Sequence, residues 1–201
     1  TFKNVKDAPG LIMKTSGATF SVMDREEILG KIKDIRTTVK GELPNIYLLH
    51  GDFTDDEMNQ MYNHPKVKVH ISLTHGEGFG RPLLEATLSE KPVMASNWSG
   101  QVDFLERGMS TLLAGSMSTV PKASFPEGMF VDGMQWFTVN YPNVCKAMMD
   151  IFKNYAKYLI GARKQSIKSK NYSFDNMTKN FEVILDKYLP KFEEQPQKVN
   201  L

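Results

Sequence analysis

One glycine-rich segment determines how this sequence is interpreted: His75-Gly76-Glu77-Gly78-Phe79-Gly80-Arg81-Pro82-Leu83-Leu84-Glu85. It follows an apolar run at residues 67–74, which we predict to be a strand, and it opens a predicted helix at residues 82–88. In open α/β folds, the turn between a strand and the next helix lies at the carboxyl edge of the sheet, where such folds bind ligands. The segment therefore predicts an α/β fold with a ligand site at this turn.

Short apolar runs alternate with helical patterns along the rest of the chain. Further strands are predicted at residues 11–13, 46–50, 92–95 and 110–114. A first helix is predicted to begin near Asp24, with Glu27 as its capping partner and an apolar stripe of Ile28, Ile32, Ile35 and Val39. More helices are predicted at residues 55–63, 102–106, 141–162 and 173–189. This alternation is typical of a parallel sheet with helices on both faces.

Two regions break the alternation. Residues 115–133 are rich in Ser, Pro, Met and Gly, which predicts a long loop, and Trp136 just beyond it is expected to belong to the core. The sequence after Pro190 is polar. We therefore expect one domain at residues 1–190 and a disordered tail at residues 191–201.

Composition excludes several classes of protein. The chain has 201 residues, enough for one sizeable α/β domain, and its formal net charge of +2 gives no reason to expect nucleic acid as a partner. No run of 18 apolar residues occurs, so no membrane span is predicted. The start at Thr1 lacks an apolar signal segment, and a cytoplasmic location is expected. The single cysteine, Cys145, excludes an internal disulfide and is expected to be buried.

The glycine-rich turn has the features of a phosphate site. Pro82 is expected at the first helical position, where its missing N–H costs nothing. The amides of Leu83 and Leu84 would then be free donors at the positive end of the helix dipole. Gly78 and Gly80 have no Cβ, so their backbone can approach a ligand closely.

Two carboxylates flank this predicted phosphate site. Glu77 lies in the loop before the helix, and Glu85 lies one turn into it. Each can accept hydrogen bonds from hydroxyl groups, one on either side of a bound phosphate. A ligand made of a sugar, a diphosphate and a ribose presents hydroxyls, anion and hydroxyls in that order, and so it matches the turn.

The string from Glu77 to Glu85 resembles the E-x7-E signature of retaining GT-B glycosyltransferases, in particular the large family four. The similarity extends over residues 11–113 and includes the segments LLHGDFTDDEM (48–58) and KPVMAS (91–96). It implies a Rossmann-like domain that forms the C-terminal half of a GT-B fold. It also implies that Glu77 contacts the donor sugar, which makes it our candidate catalytic residue, and that Glu85 binds the ribose. The diphosphate would be held by the backbone of Gly78, Phe79, Gly80, Leu83 and Leu84.

Neighbouring residues are further candidates for the same donor site. Lys14 ends a strand at the same sheet edge, where a cation can reach a pyrophosphate or a base, and the resemblance places the nucleobase at Phe53. Arg81 has two open interpretations, a phosphate contact or a surface charge. His75 is a further candidate for the donor, and residues 97–101 are candidates for the opposite wall of the cleft. The ring of Phe79 is expected to pack under the turn.

The sequence gives no reason to expect a metal or another cofactor. The acidic cluster of Asp52, Asp55, Asp56 and Glu57 is interpreted as a helix cap. No Asp-x-Asp sequence occurs, which disfavours a metal-dependent GT-A transferase. The histidines have no spacing typical of a metal site.

The resemblance also implies parts that lie outside this chain. In the family, basic residues that clamp the phosphates and an N-terminal domain that holds the acceptor precede the region matched here, as does the first strand of the C-terminal domain. We therefore expect the isolated chain to bind its donor weakly and to be inactive. The apolar face of the helix at residues 173–189 is expected to need a partner.

The implied reaction is transfer of a sugar from a nucleoside diphosphate, such as UDP or GDP, to a carbohydrate or other hydroxyl acceptor, with retention of configuration. Two alternatives remain open: a catalytically silent sugar-nucleotide-binding module, and a GT-B relative such as a phosphorylase or an epimerase. A dinucleotide oxidoreductase is disfavoured. The G-x-G-x-x-G motif would need glycine where Arg81 stands, and Asn97 replaces the acidic residue expected after the next strand.

Overall fold

The computed structural model describes residues 1–15, 20–124, 128 and 131–190, and it has a mixed α/β architecture. The strands are β1 (Leu11–Lys14), β2 (Ile46–Leu49), β3 (His70–Ser72), β4 (Val93–Ser96), β5 (Thr111–Leu113), β6 (Gly115–Thr119) and β7 (Gln135–Val139). The helices are α1 (Val22–Thr37), α2 (Asp55–Asn63), α3 (Arg81–Leu88), α4 (Tyr141–Lys153), α5 (Tyr155–Ser169) and α6 (Phe174–Tyr188). The predicted tail at residues 191–201 lies outside the described residues.

The strands form separate sheets, whereas we predicted a single one. β1 pairs with β2 in parallel, and β3, β4 and β5 form a parallel sheet in that order. β6 and β7 form an antiparallel hairpin. Because β3 spans only three residues and pairs with β4, it is a short edge strand and does not extend the sheet to β2. The α/β class with parallel strands is confirmed.

Strand β4 lies at the centre of the core. All four of its residues are buried, and the side chains of Val93, Met94 and Ala95 alternate between two apolar clusters. Val93 and Ala95 pack with residues of α2 and α3, including Tyr62 and Leu83. Met94 packs on the other side with β5, β7 and α4. The sheet β3-β4-β5 is therefore covered on both faces, as the alternation of apolar runs and helical patterns predicted.

The first helix begins two residues earlier than predicted and has a different cap. The Ser21 hydroxyl accepts a hydrogen bond from the Asp24 backbone N–H at 3.1 Å, so Ser21 is the N-cap. The Asp24 carboxylate instead contacts His50 Nε2 at 2.7 Å, and Glu27 pairs with Lys31. The assignment of Asp24 and Glu27 as a capping pair was wrong, because a serine hydroxyl was already in place to cap the helix.

The prediction of a loop at residues 115–133 is wrong for residues 115–119. Residues 115–119 form β6, which pairs with β7 in the register Gly115↔Val139 to Thr119↔Gln135. A Cβ at Gly115 would overlap the backbone carbonyl of Thr138, so this close pairing requires glycine. Residues 125–127 and 129–130 lie outside the described part of the chain.

The C-terminal helices differ from the prediction in two ways. The helix predicted at residues 141–162 is divided at Asn154 into α4 and α5, and α5 continues to Ser169. The final helix begins as predicted after Ser173, whose hydroxyl caps it. The expectation that Cys145 is buried was wrong: Val144 takes the buried position on α4, and Cys145 beside it is exposed.

Two shorter elements are also corrected. The helix predicted at residues 102–106 is a 3-10 helix at Gly100–Asp103, and the strand predicted at residues 67–74 is confined to His70–Ser72. Further 3-10 turns occupy Lys122–Ser124 and Lys170–Tyr172. Over the described ranges, no helix combines the length and the apolar character that crossing a membrane would require.

Candidate functional site

The glycine-rich turn ends at Gly80, which is the N-cap of α3. Gly80 has φ 90°, a left-handed conformation that favours glycine. Its carbonyl accepts hydrogen bonds from Leu83 N at 2.9 Å and from Leu84 N at 3.1 Å. The prediction that these two amides are free was therefore wrong. Arg81 is the first helical residue and Pro82 the second, so Leu84 already donates the first regular bond of the helix ladder.

The unpaired amides lie one step earlier in the chain. Within the described residues, the backbone N–H groups of Gly78, Phe79, Gly80 and Arg81 donate no hydrogen bond. Pro82 has no N–H to donate. No atom lies within 4 Å of the place where a Cβ of Gly78 would stand, so the turn is open on that side. Consecutive unpaired amides at the start of a helix favour a bound anion.

The loop at residues 97–101 holds this turn in place. The Glu77 carbonyl accepts hydrogen bonds from Ser99 Oγ at 2.7 Å and from Gly100 N at 3.0 Å. A Cβ at Gly100 would overlap the Gly78 carbonyl, so only glycine allows this approach. Gln101 is fully buried and donates to Ser96 O and Oγ at 3.1 and 2.7 Å. The loop after β4 thus packs directly against the turn after β3.

The two glutamates have different surroundings. Glu77 is half-buried, and its carboxylate has no hydrogen-bond partner among the residues described. Glu85 accepts a hydrogen bond from Arg81 Nε at 2.6 Å, and Arg81 Nη2 also lies 3.4 Å from Asp55 Oδ1. The hydrogen bond and negative charge of Glu85 raise the pKa of Arg81. Arg81 therefore forms a surface ion pair in this structure, and its contact with a phosphate stays a prediction.

Lys14 and Phe53, two other candidates for the donor site, lie close together beside the β1–β2 sheet. Lys14 Nζ lies 5.5 Å from the centroid of the Phe53 ring, within cation–π range. Lys14 pairs with Leu49 at the carboxyl end of β1 and β2, and Phe53 follows β2. The structure therefore brings the predicted cation and the predicted nucleobase position into contact.

The acidic cluster serves α2. The cap itself is Thr54, which the sequence analysis missed: its hydroxyl accepts from Glu57 N at 3.3 Å, and its N–H donates to Glu57 Oε2 at 2.8 Å. Asp55 and Asp56 lie in the first helical turn, and Asp52 accepts a hydrogen bond from its neighbour's N–H. No three His, Cys, Asp or Glu side chains are grouped as metal ligands in the described part of the chain.

Hairpin β6–β7 contributes residues that the sequence analysis did not place at the site. Trp136 is half-buried and stacks on the His75 ring, with centroids 3.7 Å apart and planes 3° apart. The His75 Nδ1 atom lies 2.7 Å from the Phe137 carbonyl oxygen. The Phe137 ring in turn stacks on Trp98 at 5.6 Å and 6°. Trp136 is therefore a partner of the turn, and its assignment to the core was wrong.

The Phe79 ring belongs to a separate aromatic cluster that borders α6. It contacts Phe104 and Tyr172, with centroid distances of 5.2 and 6.0 Å, and it is 37% exposed. These rings line an open apolar groove of about 880 Å³ together with Phe174, Met177, Phe181 and Ile184 of α6. Phe79 was predicted to pack under the turn; its ring contacts Phe104 and Tyr172, remains partly exposed and forms part of a larger apolar surface.

Comparison with known proteins places the chain by its fold. No protein-family model matches it, and no curated protein sequence matches it. Among solved structures, Anabaena Alr3699/HepE in complex with UDP and glucose is similar with a TM-score of 0.57 and 16% identity over 89% of this chain. The same protein in complex with UDP-glucose is similar with a TM-score of 0.57 and 17% identity over 89% of this chain. A glycosyltransferase from Rickettsia africae ESF-5 is similar with a TM-score of 0.59 and 15% identity over 92% of this chain.

These similarities cover only part of the solved proteins. The chain spans 40% of the HepE chain and 49% of the Rickettsia chain. At such identities the comparison shows a shared fold. The described part of the chain therefore has the fold of a domain found in these structures.

Proposed function

We propose that this chain is the donor-binding part of a retaining GT-B glycosyltransferase, which transfers a sugar from a nucleoside diphosphate to an acceptor hydroxyl. One observation carries the proposal: four consecutive backbone amides without acceptors in the described chain, Gly78 to Arg81, lie between the carboxylates of Glu77 and Glu85. This order of carboxylate, donors and carboxylate matches a sugar, a diphosphate and a ribose. Solved proteins of similar fold support it, since one is a glycosyltransferase and another was solved with UDP-glucose.

In this proposal the amides of residues 78–81 bind the diphosphate. As the bond between the sugar and the diphosphate breaks, negative charge grows on the departing phosphate. Backbone donors that are already oriented stabilise that charge without reorganisation. The hydrogen bonds from Ser99 and Gly100 to the Glu77 carbonyl keep the turn in its shape, so the donors remain aligned. Leu83 and Leu84 would contribute to this site through the first turn of α3, to which they belong.

The two carboxylates bind the ends of the donor. Glu77 has no partner within the described residues, so it is available to accept hydrogen bonds from hydroxyls of the sugar and to position it. Glu85 would give up its hydrogen bond with Arg81 and accept hydrogen bonds from the ribose hydroxyls instead. Arg81 would then be released next to the diphosphate. Lys14 and Phe53 would lie against the nucleobase.

The remaining steps need parts that this chain does not supply in the proposal. The acceptor would be held by a second domain, as the shorter length of the chain relative to its structural neighbours allows. The isolated chain would bind its donor and catalyse no transfer. A module that binds sugar nucleotides without ever catalysing transfer would share the same site.

Ligand-observed NMR with UDP-, GDP- and ADP-sugars tests the proposal directly. We expect saturation transfer to one of these sugar nucleotides, and competition by the matching nucleoside diphosphate. NAD serves as the control ligand, because it carries a diphosphate and two riboses but no transferable sugar. Binding of NAD in preference to every sugar nucleotide would refute the proposal.

A further inference from the structure

We propose that His75 binds the donor sugar through its Nε2 atom, and that hairpin β6–β7 holds the imidazole in position for this contact. The inference rests on the proposed function, because it names a further contact within the same site. It begins with the bond between His75 Nδ1 and the Phe137 carbonyl oxygen, 2.7 Å long. A backbone carbonyl only accepts hydrogen bonds, so Nδ1 must carry the proton. In the neutral ring, Nε2 is then a hydrogen-bond acceptor.

No described residue donates to Nε2 of His75. This atom is also not enclosed: among the described side chains, the buried ring nitrogen without a partner is Nε2 of His70, not that of His75. An accessible acceptor with a fixed tautomer suits a hydroxyl donor. The chemical class that it would recognise is a hydroxyl of the donor's sugar.

The ring is held from two directions. Trp136 covers its face with planes only 3° apart, and the Phe137 carbonyl binds its edge. Both holding groups come from consecutive residues of β7, so one strand fixes the orientation of the imidazole. A side chain that is already fixed before binding loses less conformational entropy when the ligand binds.

The position of His75 in the turn connects this contact to the proposed site. His75 lies two residues before Glu77, and between them a Cβ at Gly76 would lie 3.4 Å from Ser99 Oγ and 3.8 Å from Trp98 Cδ1. Trp98 itself stacks on Phe137. The hairpin therefore contacts both loops that form the turn region, the one after β3 and the one after β4. His75 is where the hairpin meets the segment that carries Glu77.

Two substitutions separate the two nitrogen atoms. His75→Asn keeps an amide N–H close to the position of Nδ1, where it can still donate to the Phe137 carbonyl, but it leaves nothing at the position of Nε2. His75→Gln reaches the position of Nε2 with its longer side chain. Calorimetry would measure the affinity of both variants for the sugar nucleotide that binds the wild type and for the matching nucleoside diphosphate, with thermal melting as the check on folding.

We expect His75→Asn to bind the intact sugar nucleotide about three- to tenfold more weakly, the effect of one lost hydrogen bond, and the nucleoside diphosphate with unchanged affinity. His75→Gln should recover part of the loss. Equal affinity of His75→Asn and wild type for both ligands, or an equal loss for both, would overturn the inference. Wild-type chain that binds neither ligand would refute the proposed function itself, a different result.

A measurement on the wild type keeps the test independent of folding. Long-range ¹H–¹⁵N NMR spectra resolve the two ring nitrogens of a histidine and show which one carries the proton. We expect Nδ1 of His75 to be protonated, and the Nε2 signal to move when the sugar nucleotide is added but not when the nucleoside diphosphate is added. An Nε2 signal that is indifferent to both ligands overturns the inference.

Discussion

Arg81 and Glu85 are joined across the first turn of α3 by a hydrogen bond of 2.6 Å between Nε and Oε1. The Arg81 side chain is 72% exposed and the Glu85 side chain 35% exposed. Exposed ion pairs of this kind contribute little to stability, because water and salt screen them. A ligand that offers Glu85 two hydroxyl donors can therefore displace Arg81 at little cost, which leaves the guanidinium next to the amides of the turn.

The first prediction concerns which backbone amides respond to a nucleoside diphosphate. On addition of UDP or GDP at about millimolar concentration, we expect the amide signals of Gly78, Phe79, Gly80 and Arg81 to shift most, because these N–H groups have no acceptor in the described structure. Leu83 and Leu84 should shift less, since both donate to the Gly80 carbonyl. Two-dimensional ¹H–¹⁵N spectra measure this order. Shifts caused by NAD and not by nucleoside diphosphates would contradict the assignment.

The second prediction concerns divalent cations. The sequence contains no Asp-x-Asp, and its acidic cluster caps α2, so donor binding is expected to need no metal. Calorimetric titration of UDP or GDP in EDTA, and then in excess Mg²⁺ or Mn²⁺, compares the two conditions. We expect affinities that agree within about threefold. A tenfold gain on adding metal would show that a cation is part of the site.

The third prediction concerns stability at low pH. Burial, followed by the charge of Lys91, lowers the pKa of His70 from 6.5 to about 4. The unfolded chain therefore binds a proton between these values that the folded chain does not, so the free energy of unfolding falls as pH falls from 6.5 to 4. At about 1.4 kcal/mol for each pH unit, the loss is about 3 kcal/mol. Urea unfolding at a series of pH values measures it.

His70→Leu removes this titration and should flatten that part of the pH profile. The control is His64→Gln, since His64 is exposed and its replacement should leave the profile intact. An unchanged slope in His70→Leu would mean that other groups, such as carboxylates, cause the acid sensitivity.

Local pattern was sufficient for much of the fold. The apolar sequence at residues 92–95 predicted a strand, and β4 lies there with Val93 and Met94 in two different apolar clusters. The final helix was predicted at residues 173–189, and α6 spans Phe174–Tyr188. These features depend on residues adjacent in sequence, so the sequence alone could predict them.

What could not be predicted depends on partners far along the chain. Residues 115–119 have the composition of a loop, and they become a strand only because residues 135–139 pair with them. The role of Trp136 depends on His75, which lies 61 positions earlier in the chain. The wrong prediction that the amides of Leu83 and Leu84 are free has a local cause. A shift of one residue in the start of α3 decides which amides donate hydrogen bonds.

The last prediction separates the two ends of the ligand. Glu85→Gln keeps the size of the side chain and one acceptor oxygen, but it loses the charge that strengthens bonds to hydroxyls. Such charge-assisted bonds contribute roughly 1.5–3 kcal/mol, so affinity for UDP or GDP should fall about ten- to a hundredfold. The fold should survive, because the bond that Glu85 makes to Arg81 belongs to an exposed pair.

Glu77→Gln should have the opposite selectivity. The Glu77 carboxylate has no partner in the described residues, whereas its backbone carbonyl is held by Ser99 and Gly100, so the substitution leaves the turn in place. Affinity for the nucleoside diphosphate should be unchanged, and only the intact sugar nucleotide should bind more weakly. Calorimetry of both variants with both ligands gives four affinities to compare. If each variant loses the same factor for each ligand, the glutamates shape the turn without contacting the donor, and the assignment of the site fails.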